Sequence, residues 1–131
     1  MTLEAGLTFE KSYVVTSEML ASRLVPGTPD AFATPFMVAL IEHTCNDAVQ
    51  PHLNEGQGTV GTVMNAKHFA PTPVGMRVTA RARLEAVEGR KLVFKVEVFD
   101  EAEKIGEALH ERFIIDKVKF AAKIQGKARK V

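Results

Sequence analysis

The sequence predicts an α+β domain, an antiparallel five-stranded sheet wrapped around a long central helix. Two observations carry that prediction. The run from Thr34 to about Gln50 places Phe36, Met37, Ala39, Leu40, Ile41, Thr44, Ala48 and Val49 around much of a helix's circumference, and Pro51 stops it. A helix apolar nearly all round is expected to be buried. After a turn at Gly56 and Gly58 come four strand-like runs, Thr59–Phe69, Met76–Glu88, Lys91–Asp100 and Ile105–Lys117. Runs of roughly ten residues favour one broad antiparallel sheet over a small sandwich.

Taken in order, Leu7 to Val15 supplies the fifth strand. Leu7, Phe9, Lys11, Tyr13 and Val15 alternate there with Thr8, Glu10, Ser12 and Val14. Thr16 or Ser17 is placed to cap a short helix, Glu18 to Leu24, with Glu18 near its positive end. Pro26-Gly27-Thr28-Pro29-Asp30 cannot continue a regular element, and its place before the main helix makes it a lid. Thr34 reads as the N-cap of that helix and Pro35 as its first residue. Glu88-Gly89-Arg90 and Asp100 to Lys104 read as hairpin turns, and the prolines of Ala70–Gly75 make that segment a connection. The tail, residues 117–131, carries Lys117, Lys119, Lys123, Lys127, Arg129 and Lys130 with no acid, and is expected to form a short helix. Strand, lid, central helix and four strands, in that order, is the hotdog architecture.

Residues 1–131 read as a single domain, and with 46% hydrophobic residues they can form a sizeable core. A chain of this size still exposes much apolar surface when alone. Seventeen basic residues nearly balance sixteen acidic ones, for a formal charge of +1, which gives no field for gripping nucleic acid. The apolar stretch Ala31 to Ile41 is too short to span a bilayer. The N-terminus lacks a basic region followed by an apolar one, so no secretory signal is expected. Cys45, the single cysteine, cannot form an internal disulfide. A cytoplasmic protein without nucleic-acid or membrane partners is expected. No phosphate loop, metal-spaced cluster or nucleophile elbow is present in the sequence, so no cofactor and no metal are expected.

Three residue types on rigid elements point to acyl chemistry. Glu42 sits mid-way along the apolar helix, where burial would raise its pKa and tune it as a base or nucleophile; a structural ion pair or a solvent-facing position is the alternative. His68 ends a strand and shares a face with Ala66 and Met64; a surface histidine is its default reading. Thr34 is a helix cap first. The helix start it marks would offer the free N–H groups of Phe36 and Met37 to a carbonyl oxygen as negative charge develops there. Gly61, in a strand where glycine is costly, marks either a bulge or the close approach of a ligand. Arg112 would pair with Glu111 or Asp116, or contact an acidic ligand. Cys45, three positions after Glu42, reads as inert packing.

These residues resemble the fluoroacetyl-CoA thioesterase group of single-domain hotdog thioesterases. The likeness covers most of the chain. It is strongest over Ala33 to Glu42, Gly61 to His68, Val87-Glu88-Gly89-Arg90 and His110-Glu111-Arg112. The resemblance implies a homodimer with active sites at the subunit interface, acting on a short-chain acyl-CoA. It implies Thr34, Glu42 and His68 as the catalytic trio, the Gly61 N–H on the thioester carbonyl, and Arg112 fixing the site, with Phe36 counted among the substrate-binding residues. Pro35 stands where the group has glycine, and the lid is shorter. Thr28 stands where the fluoroacetyl-selective form carries a bulky aromatic, which argues against fluoroacetyl selectivity. Two other activities fit a hotdog domain: an enoyl-CoA hydratase or dehydratase, and a non-catalytic acyl-CoA binder. Lys67, Arg77, Lys117 and Lys119 are candidates for the CoA phosphates.

Overall fold

The computed structural model describes residues 3–130. Its strands are β1 (Thr8–Val14), β2 (Gln57–His68), β3 (Arg77–Glu88), β4 (Lys91–Phe99) and β5 (Lys104–Asp116). Its α-helices are α1 (Ala21–Leu24), α2 (Thr34–Val49) and α3 (Lys117–Ala128). The strands form one antiparallel sheet in the order β1-β3-β4-β5-β2. All five predicted strands and the central helix are present, with strand ends within two residues of the expected ones.

The core lies between α2 and one face of the sheet. Along β3 the buried residues Val78, Ala80, Ala82 and Leu84 alternate with exposed or half-buried ones, the period of two that a one-sided sheet demands. Leu92, Phe94, Val96 and Val98 continue that layer on β4, and Met37, Leu40, Ile41, Cys45 and Val49 meet it from α2. Burying each large side chain is worth about 1.5–3 kcal/mol, which holds α2 where its own weak propensity would not. Gly89 makes the β3–β4 turn with φ +64, a conformation glycine takes without a Cβ penalty. Asp100 makes the β4–β5 turn by accepting from the Ala102 and Glu103 amides at 2.8 and 2.9 Å.

Several local expectations are corrected. Thr34 is not the cap: Ala33 is the N-cap and Thr34 the first helical residue, with no side-chain cap bond. The helix expected from Glu18 to Leu24 is split into a 3-10 turn, Ser17–Met19, and α1, because Leu20 is extended and bridges Phe32 across the loop. Neither piece has a side-chain cap. The helix α2 is not buried all round. Thr34, Pro35, Ala39 and His43 are exposed along one side, and Glu42 is half-buried among them. It ends at Val49, and Gln50–His52 tightens into a 3-10 turn through Pro51. The expected lid is a loop tied to itself. Ser22 donates to Asp30, the Ala21 amide to the Ala31 carbonyl, and the Thr28 hydroxyl to the Val25 carbonyl. The basic tail forms α3, capped by the Asp116 carboxylate accepting from the Lys119 amide at 3.0 Å. Among the described residues no helix is long and apolar enough to cross a membrane.

Candidate active site

The site is built where α2 crosses β2 and β5. The register pairs Gly61 with Arg112, slips by one residue between Gly61 and Val63, and then pairs Met64 with His110, Ala66 with Ala108 and His68 with Gly106. That β-bulge leaves Thr62 out of the register beside Gly61 and lets both halves of β2 turn residues toward the helix.

Glu42, Gly61 and Arg112 form one cluster. Arg112 is buried, and its Nη1 lies 3.4 Å from Glu42 Oε1. The rest of its guanidinium is fixed by Thr59: Nε donates to Oγ1 at 2.9 Å and Nη2 to the carbonyl at 3.1 Å. Thr59 in turn donates to Asn46 Oδ1 on α2 at 3.0 Å. This corrects the expected partners of Arg112. Glu111 is its neighbour in sequence and projects to the opposite face of β5, while Glu42 faces it from the helix. Of the two explanations expected for Gly61, the bulge is the one seen, and the group that comes close is a carboxylate of the same chain. A Cβ built on Gly61 would lie 2.5 Å from Glu42 Oε1, so the absence of a side chain is what lets the carboxylate in. Glu42 itself is not desolvated in the single chain, its side chain being 46% exposed. The burial expected from the apolar helix pattern is therefore absent on this side. Cys45 is buried beside this cluster, and burial pushes its thiol up to about 12, as expected of inert packing.

Thr34 and His68 form a second cluster. With Ala33 as cap, the Thr34 hydroxyl is released from the backbone and hydrogen-bonds His68 Nδ1 at 2.7 Å. His68 Nε2 is buried and has no hydrogen-bond partner among the described residues. The buried Phe32 ring stands edge-on to the imidazole, its centroid 6.3 Å away. Burial pushes the His68 pKa below its ordinary value, against an opposing backbone contact with Ala70. The Phe36 and Met37 amides are not free: both donate to the Ala33 carbonyl, at 3.0 and 3.1 Å. The expectation that they hold a carbonyl oxygen is corrected accordingly. The Phe36 side chain packs against the core.

The two clusters do not meet within one chain. Thr34 and Glu42 are eight residues apart on α2, which is ~12 Å along a helix. Gly61 and His68 stand near opposite ends of their interval on β2, ~23 Å of extended strand. The CoA-phosphate candidates are not gathered either, since β5 and β4 separate Lys67 on β2 from Arg77 on β3. A cavity of about 840 Å³ lies on the other face of the sheet among Arg81, Arg83, Lys95, Glu97 and Glu107. His110, Thr59 and Asn46 join the site although none of them was an expected site residue. The spacing of His110 two residues before Arg112, on the same face of a strand, was the available signal.

Fold and site together define the class: a hotdog-fold thioesterase. The family model for the fluoroacetyl-CoA-specific thioesterase FlK matches residues 15–118, and the chain belongs to that family. The fluoroacetyl-CoA thioesterase of Streptantibioticus cattleyicolor is 38% identical over 131 residues, covering 95% of this chain and 94% of that one. A solved structure of fluoroacetyl-CoA thioesterase FlK superposes with a TM-score of 0.92 at 38% identity, over 97% of this chain and 98% of that one. A thioesterase superfamily member from Thermus thermophilus superposes with a TM-score of 0.91 at 30% identity, over 98% of this chain and 96% of the other.

Proposed function

We propose that the protein hydrolyses a short-chain acyl-CoA to the free acid and CoA, with Glu42, Thr34 and His68 as catalytic residues. The observation that carries this reading is the Gly61 cradle, a bulged glycine with a carboxylate against it and a buried arginine behind that carboxylate. Arg112 holds Oε1, which leaves the second oxygen for the reaction. Glu42 removes a proton from the water that attacks the thioester carbonyl carbon, or attacks that carbon itself to give a mixed anhydride that water then hydrolyses to the free acid and Glu42. The carbonyl oxygen takes the electron pair and is met by the Gly61 N–H, a donor worth about 2.7–4 kcal/mol at such a position. When the C–S bond breaks, the pair leaves on sulfur, and His68 Nε2 relays to it the proton that the water gives up, so that the ring ends neutral as it began. The Thr34 hydroxyl on Nδ1 fixes the ring for that step.

The separation of the two clusters supports a site shared between two copies. A homodimer in which each site takes Glu42, Gly61 and Arg112 from one copy and the Thr34–His68 pair from the other unites the trio. Three features support it. β2 is an edge strand with an unpaired side. Val63 on that strand is 42% exposed. Glu42 is open where a second copy would cover it. The tied-back Thr28 offers no aromatic to the acyl pocket, which supports a site without fluoroacetyl selectivity. CoA thioesters and a free, buried cysteine both suit a reducing compartment, so we place the reaction in the cytoplasm.

Mixed dimers test the reading. Glu42→Gln and His68→Ala homodimers should each lose thiol release by at least a hundredfold. Mixing the two chains should restore activity, because one site of each mixed dimer then carries an intact Glu42 and an intact His68. Mixed dimers that stay inactive would rule out the shared site. A Glu42→Gln homodimer at wild-type rate would rule out the catalytic assignment.

A further inference from the structure

His110 is buried, 1% exposed, and the mechanism above does not use it. Its ring reaches both the bulge and the arginine of the carboxylate cluster. Nδ1 lies 2.7 Å from the Val63 carbonyl, at the far side of the bulge. Nε2 lies 3.2 Å from Arg112 Nη1, the same nitrogen that faces Glu42. Its Cε1 would be 3.2 Å from a Cβ at Gly61. The Phe94 ring stacks on the other side, 6.3 Å between centroids and 29° between planes.

Hydrogen-bond chemistry fixes the state of this ring. A guanidinium has donors only, so His110 Nε2 must accept from Arg112. The proton is then on Nδ1, which donates to the Val63 carbonyl. An imidazolium would place a second donor against Nη1 and break the arrangement. Burial agrees: it pushes the His110 pKa below its ordinary value, with the Val63 carbonyl opposing, Arg112 assisting and Glu42 opposing.

We propose that His110 is a positioning residue whose neutral ring clamps the Gly61–Val63 bulge with one nitrogen and the Arg112 guanidinium with the other. It thereby sets the distance between the Gly61 N–H and the Glu42 carboxylate. This rests on the assignment of Glu42 and Gly61 to the reaction.

Three variants separate the two arms. Phe fills the ring volume, keeps the stack on Phe94 and makes neither bond. Asn places an amide donor near Nδ1 and keeps the Val63 bond. Gln places an amide oxygen near Nε2 and keeps the Arg112 bond. Each would be assayed by thiol release with whichever of acetyl-, fluoroacetyl-, propionyl- and butyryl-CoA the wild type turns over fastest, beside Glu42→Gln. The expected result is a kcat loss of at least tenfold for His110→Phe with KM within twofold, and partial recovery of kcat in both His110→Asn and His110→Gln. A folded His110→Phe with kcat within twofold of wild type would overturn the proposal, as would three variants with the same reduced kcat. If those results accompany an inactive Glu42→Gln, His110 alone is misassigned; an active Glu42→Gln removes the site reading and this inference with it. Should the variants not fold, nitrogen NMR of the wild type decides. A neutral Nδ1–H tautomer at pH 7 supports the clamp, and an Nε2–H tautomer or imidazolium overturns it.

Discussion

Replacing Gly61 by alanine tests the cradle directly. Gly61 is not among the positive-φ glycines, so alanine adds no backbone strain there. The added methyl would sit 2.5 Å from Glu42 Oε1, 3.2 Å from His110 Cε1 and 3.4 Å from Arg112 Nη1. Ordinary contact begins near 3.4 Å, so the carboxylate must retreat by about 0.9 Å. The Glu42 side chain is half-exposed and can swing outward, so folding suffers little, and less than about 1 kcal/mol is expected. Catalysis has no such freedom. A displacement of ~1 Å at a reacting group costs about a hundredfold, or roughly 2.7 kcal/mol. The backbone N–H survives the substitution, so the loss reports the position of Glu42 and not a missing donor. The assay is thiol release from acetyl-CoA, with the melting temperature as control. Gly61→Ala should lose about a hundredfold in kcat/KM while its Tm falls by no more than about 4 °C. A folded Gly61→Ala enzyme within threefold of wild type would refute the reasoning, because the carboxylate would then have no defined place against this strand.

Gly106→Ala is the contrasting case, because its Cβ would meet the Lys67 backbone oxygen and Met37 Sδ, each at 2.7 Å. Backbone cannot swing away, so a loss of about 1–3 kcal/mol in stability is expected, read as a lowered denaturant midpoint. Thr34→Ala removes the 2.7 Å bond to His68 Nδ1 and should lower kcat about tenfold or more, with Thr34→Ser restoring most of it; equal rates for Ala and Ser would remove the hydroxyl from the mechanism. Stability should fall in mild acid. His68 and His110 both have pKa values below the ordinary 6.5, so the unfolded chain binds more protons as pH drops past 6.5. Their contribution is present above that pH and is lost below it. A Tm flat from pH 8 to 7 and declining from 6.5 to 5 is expected, with a shallower decline in His110→Gln.

Much of the fold is legible in the sequence because it rests on local periodicity. The strand runs of β3 and β4, proline at the end of α2 and glycine in the β3–β4 turn act within a few residues of one another, and each appears where it was expected. The site residues were legible as types: a carboxylate on the central helix, a histidine at a strand end, a glycine in a strand. Their relations were not. The sequence determines that Thr34 is near a helix start, but the tertiary structure decides that Ala33 caps it and that the freed hydroxyl goes to His68. The sequence places Arg112 beside Glu111, but strand geometry sends adjacent side chains to opposite faces and gives Arg112 to Glu42. An apolar helix pattern predicts burial for Glu42, while only the packed sheet shows which side of α2 it leaves open. His110 is marked in the sequence by its place in the His110-Glu111-Arg112 segment and its parity with Arg112, but not by a role. Its place between the bulge and the guanidinium exists only once β2 and β5 are in register, because hydrogen bonds across a sheet join residues that are distant in sequence.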